Sequence, residues 1–209
     1  MDFFEIRNWF AHRFCDYLRE GKKEELTIVK AVAEIISNES PPTLPPSIKK
    51  EILSTFPLIK EENGKLKLSE DIDPITKEYV KEKSERYLKF LKENEITPAG
   101  ENVEQNVKLA IKLFNYELFF EVHELIEEIW MGNFGKDRDF LQALIQIGVA
   151  FYHRENFNER GYKLLLENAL ELLKEYNGTI YTINVDELKE KISQAIKNPE
   201  YPHKNLFTP

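Results

Sequence analysis

The stretch EVHELIEEIW, residues 121–130, sets a histidine and four acids among large apolar residues. Its apolar positions recur at helical spacing, so it reads as a helix. At about 100° per residue, Phe120, Ile126, Glu127 and Trp130 fall within about 60° of His123. His123 and Glu127 are therefore expected to aim at a core. Glu121, Glu124 and Glu128 fall together on a flank expected to be solvated. A polar group aimed at a core needs a partner, because desolvation without a hydrogen bond is costly.

The partner pattern lies just downstream. Residues 138–155 are apolar around most of a helical circumference, the mark of a buried helix. Yet Arg138, Gln142, Gln146 and His153 share one side of it. The connecting stretch MGNFGKD, residues 131–137, is short and carries two glycines that suit a lid. An antiparallel pair joined this way sets Glu127 beside Gln142, His123 beside Gln146, and Arg138 near Trp130 and Glu127.

These residues carry a resemblance. The run from Leu113 to Leu170 resembles the domain-of-unknown-function family 309, over about residues 103–176. The family's signature is matched by His123, Glu124, Glu127, Trp130, Arg138, Gln142, Gln146 and His153, with Asn158 and Gly161 in the following turn. Glu117 departs from it, standing where such proteins usually have glycine. The resemblance implies an all-helical bundle and brings no activity with it.

The remaining chain reads as more helix. Apolar periodicity predicts helices over 3–20, from Leu26 to Ile36, from about Ser47 to Thr55, and from Asp73-Pro74 through Leu91. SPPTLPP at 40–46 breaks the chain. Asn63-Gly64 predicts a hairpin over 58–68, since its turn needs positive φ twice. Downstream helices are expected from Val103 to Phe114, over 159–176, and over 185–197, where Asn184 and Glu187 suit a capping box. No internal repeat is long enough for a solenoid. The polar, Pro- and Gly-broken stretch 93–102 marks a boundary. The fold class is all-α: a mainly helical N-terminal domain, 1–96, with one small hairpin, and a helical bundle, 97–209.

Composition limits the function. The net charge of −8 disfavours nucleic acid and anionic lipid as partners. No apolar run is long enough to span a membrane. The single cysteine, Cys15, excludes an internal disulfide, suits a reducing cytoplasm and reads as a buried thiol. A homo-oligomer is left open, and His12, His203 and the tail YPHKNLF read as surface or docking features.

Three function classes follow. In the first, His123, Glu127, Arg138, Gln142 and Gln146 form a buried network that fixes helix register in a binding or interaction domain. In the second, His123, Glu124, Glu127 and Arg138 are catalytic or anion-binding, with Trp130, Gln142, Gln146 and His153 lining the site. A metal is not expected: the HELIE motif lacks the second histidine of the zincins, and His153 lies ~10 Å from His123 along the axis. No cofactor is indicated. In the third, the hairpin and preceding helix form a winged nucleic-acid module using Lys49, Lys50, Lys60, Lys65 and Lys67. The interleaved Glu51, Glu61, Glu62 and Glu70 argue for an ordinary solvated surface instead.

Overall fold

The computed structural model describes residues 1–39 and 43–207. Ser40, Pro41 and Pro42 of the proline-rich break lie outside the described residues. The chain divides into two compact units, Met1–Pro98 and Ala99–Pro209. Both are helical, with two small antiparallel hairpins among the described residues. Among the described residues, no helix is long and apolar enough to cross a membrane.

Unit 1 runs α1 (Phe3–Glu20), α2 (Lys23–Ile36), α3 (Pro46–Thr55), β1 (Ile59–Glu62), β2 (Lys65–Leu68) and α4 (Pro74–Glu93). Local chemistry starts and stops these elements. Asp2 and Glu5 close a reciprocal capping box on α1, and Gly21 ends it in the left-handed region. Asp73 caps α4 with Pro74 at its first position. Asn63 and Gly64 both take positive φ between β1 and β2, as the hairpin requires. The core is aromatic: Tyr87 of α4 stacks on Phe10 at 5.1 Å and meets Phe14 edge-on at 5.0 Å. Cys15 is buried within this unit. Arg13 ties three helices, donating to Glu25 of α2 and Glu51 of α3 at 2.6 Å each.

Unit 2 runs α5 (Val103–Asn115), α6 (Phe119–Gly132), α7 (Arg138–Glu155), α8 (Glu159–Leu172), β3 (Thr179–Ile180), β4 (Ile183–Asn184) and α9 (Val185–Lys197). Two helical hairpins, α5–α6 and α7–α8, turn in the same way. Glu117 and Phe157 each take a left-handed φ, near 60° and 57°. In each turn the next amide bonds back five residues, Leu118 N to Leu113 O and Asn158 N to His153 O. This is the double-bonded helix stop that glycine normally supplies. The left-handed conformation at Glu117 gives a physical reason for glycine at that position in the resembled proteins.

Helices α6 and α7 approach closely because Gly148 has no side chain. A Cβ there would lie 3.0 Å from Val122 Cγ1 and 3.1 Å from Phe119 O. Phe114, Phe119 and Phe151 fill the centre, with ring separations of 4.8 to 5.6 Å.

Two expectations are corrected. Helix 159–176 stops at Leu172, because the chain tightens and Tyr176 turns to donate its hydroxyl to Lys136 O at 2.5 Å. A second hairpin, β3–β4, was not expected. Its turn residues Tyr181 and Thr182 take positive φ without glycine or asparagine, so no turn signal shows in the sequence.

Candidate functional site

The site is built on one face of α6. Glu124 Oε1 lies 3.2 Å from His123 Nδ1, and Glu127 Oε1 lies 3.6 Å from His123 Nε2. The i, i+4 spacing sets Glu127 beside the imidazole, and the side chain of Glu124, next in the chain, bends back to it. The ring of Phe120 lies 5.3 Å from the imidazole and forms an apolar wall. One donor atom from each of His123, Glu124 and Glu127 lies within 4.8 Å of the others.

The cluster is half-buried rather than sealed. The side chains of His123, Glu124 and Glu127 are 20%, 18% and 41% exposed. The acid inside the core is Glu121, at 0%. The expectation that Glu127 points inward and Glu121 outward is therefore corrected. The buried sector of α6 centres on Val122 and Leu125, because α6 packs against both α5 and α7. His123 and Glu127 sit on its flank.

Arg138 does not join the cluster as an ion-pair partner. Its Nη1 donates to the carbonyls of Trp130 and Asn133, at 2.6 Å each. The guanidinium lies over the Trp130 ring. It caps the end of α6, where carbonyls lack helical partners and the dipole is negative. Gln142 and Gln146 do not reach His123 or Glu127 with a hydrogen bond, and the Oε1 of Gln146 is buried without one. His153 is taken up in the α7–α8 turn, where Asn158 Nδ2 lies 3.0 Å from its Nδ1. Asn158 also caps α8. Gly161 is needed there, since a Cβ would meet Asn158 Nδ2 at 2.7 Å.

The loop 131–137 is pinned rather than built as a lid. Besides the Arg138 bonds, Asn133 bonds Asp137 and Gly135, Tyr176 bonds Lys136 O, and the Tyr181 hydroxyl donates to Asp137. Burial, then the neighbouring Asp137 carboxylate, push the Tyr181 phenol up to about 12. Beside this loop an open cleft of about 720 Å³ is lined by Asp137, Asp139, Glu171, Glu175, Tyr176 and Ile180, among others. It does not include His123.

The C-terminal tail packs more closely than its sequence suggests. Leu206 is buried, and Phe207 meets Phe114 edge-on at 4.9 Å. His203 lies among Phe114 and Phe119 with Nδ1 3.8 Å from Glu117 Oε1. The pair Leu206-Phe207 was the only apolar signal available for this contact.

Against known proteins, the model of a family described as a domain of unknown function, DUF309, matches residues 107–165. The resemblance read from the signature residues is borne out by this match. The uncharacterized protein YpuF of Bacillus subtilis (strain 168) is 28% identical over 97 residues, 44% of this chain and 55% of that protein. The chain thus spans little more than half of that relative. No solved structure matches.

Proposed function

We propose that unit 2 is a binding domain whose working site is His123, Glu124 and Glu127 on α6. The observation that supports this is the partial exposure of all three side chains, beside a fully buried Glu121. A network serving only helix register would be sealed and saturated. Here a rigid helix holds the polar ends in place while leaving them open to water, as a ligand site requires. Arg138, Asn158 and His153 do the structural work instead, through the α6 end and the α7–α8 turn. The use of Arg138 to hold an anion has less support, because its Nη1 is given to two carbonyls and its face to the Trp130 ring. The Glu124–His123 contact also suits a general base with its orienting carboxylate, which keeps an enzymatic reading beside the binding one.

The nucleic-acid reading of unit 1 has less support. Lys49, Lys60 and Lys67 lie 2.6, 2.8 and 3.9 Å from Glu61, Asp71 and Glu62. A cytoplasmic setting is part of the proposal, supported by the single, buried Cys15.

Denaturant melts test the site. His123→Gln and Glu127→Gln should stay within about 1 kcal/mol of wild type, as solvent-accessible pairs do. A loss of about 3–5 kcal/mol, the range for a broken buried pair, would return the cluster to a structural network.

A further inference from the structure

We propose that residues 199–207, which follow α9, form an acid-released strap, docked on the unit 2 bundle while His203 is neutral and detached when its imidazole takes a second proton. Release uncovers an apolar strip at Phe114 and Phe119. The device is separate from the working site at His123.

The strap is held at three points. At its start, Arg154 of α7 donates one Nη1 to Pro199 O at 3.2 Å and to Tyr201 O at 2.7 Å. At its far end, Leu206 is buried and Phe207 meets Phe114 edge-on at 4.9 Å. Between them the His203 ring enters the bundle, 6.1 Å from the Phe114 ring and 5.6 Å from that of Phe119. The turns of the strap are closed by its own backbone, Asn205 N to Pro202 O and Leu206 N to His203 O. Detaching it therefore needs none of the helices α5 to α9 to unwind, which places it among the parts of the unit that open most easily.

His203 is the holding point that can change state. Its Nδ1 faces Glu117 Oε1 at 3.8 Å, so the neutral ring keeps its one proton on that side. Nε2 is buried and has no hydrogen-bond partner. A second proton must go there, making a buried N–H with no acceptor and a charge shut off from water. Attraction to the two phenyl rings offsets only part of that loss. The charged groups facing the ring are Glu117 from the α5–α6 turn, Arg154 from α7 and Lys204 beside it. Two of the three are cations, and burial opposes the imidazolium more than Glu117 favours it. On a detached strap the ring is hydrated and takes the proton near ~6.5. Acid therefore favours detachment, and docking is lost as pH falls below that value.

The test follows the full chain by NMR between about pH 8 and 5, with circular dichroism reading the helices at each step. Leu206 methyl and Phe207 ring signals report docking, and His203 ring signals report proton uptake. All three should move together below pH ~6.5 while the helical signal holds. Leu206→Val, which weakens docking, should move the midpoint to higher pH, by about one unit for each tenfold weakening. His203→Gln should abolish the pH dependence of the Leu206 and Phe207 signals, and Glu117→Gln should leave release in place. Four results would each overturn the proposal. They are a strap still docked at about pH 5, release that survives in His203→Gln, release abolished by Glu117→Gln, or strap signals lost only as the helices melt.

Discussion

The guanidinium carbon of Arg138 lies 4.0 Å from the centre of the Trp130 ring, while its Nη1 donates to the Trp130 carbonyl at 2.6 Å. One side chain at the start of α7 thus holds both the backbone and the indole at the end of α6. The clamp ties the start of α7 to the end of α6, the helix that carries the site.

Removing the clamp should be felt. Arg138→Leu should lose about 1.5–3 kcal/mol, the range for hydrogen bonds made by a charged group. Arg138→Lys should recover only part, since an ammonium can still donate to the carbonyls but cannot stack as a plane on the indole. Urea midpoints read the loss, and Trp130 emission should move to the red as the ring is uncovered. An unchanged midpoint for Arg138→Leu would show that the loop is held without it.

Glycine at 148 sets the spacing of α6 and α7. Gly148→Ala should cost about 1–3 kcal/mol, because its Cβ meets Val122 and the Phe119 carbonyl, a backbone atom that cannot move aside. Gly132→Ala is the matched control. Nothing lies within 4 Å of its added Cβ, and alanine favours the helix, so it should be neutral or stabilising by up to about 1 kcal/mol. Thermal melts giving both variants the same sign would refute close packing as the role of Gly148.

Stability should fall below neutral pH through His203. Burial holds its pKa below the usual value, partly offset by Glu117 and by the backbone of Asn115, while Arg154 and Lys204 lower it further. Its Nε2 is buried without a hydrogen-bond partner. The folded state therefore resists a proton that the unfolded chain accepts. Above the unfolded value of ~6.5 the group adds no pH dependence, and stability is lost as pH falls through ~6.5 toward the lower folded value. His203→Gln should flatten this part of the profile. Melting temperatures of the two chains between pH 8 and 5 measure it, and parallel profiles would assign the acid sensitivity elsewhere.

Much of the helical layout was legible because its signals are local. Asp73-Pro74, Asn184 with Glu187, and Asn63-Gly64 act within four residues, through caps and turns that need no distant partner. The boundaries of α1 and α7 followed from periodicity in the same way. The β3–β4 hairpin was illegible because Tyr181 and Thr182 take left-handed φ that their residue types do not advertise. Contacts with neighbouring elements, such as Tyr181 with Asp137, accompany that turn.

For the site, the sequence by itself determined that α6 carries a histidine and acids at spacings that let them meet. It also determined that Trp130 and Arg138 bracket the following loop. The tertiary structure alone decided which acid is buried, which partner the histidine takes and where Arg138 spends its hydrogen bonds. A helical wheel describes one cylinder, and on α6 the apolar residues nearly surround it. The sector that becomes core is set by where α5 and α7 lie, and they turn Val122, Leu125 and Glu121 inward. That rotation leaves His123, Glu124 and Glu127 half-open at the flank, and no pattern within the helix contains it.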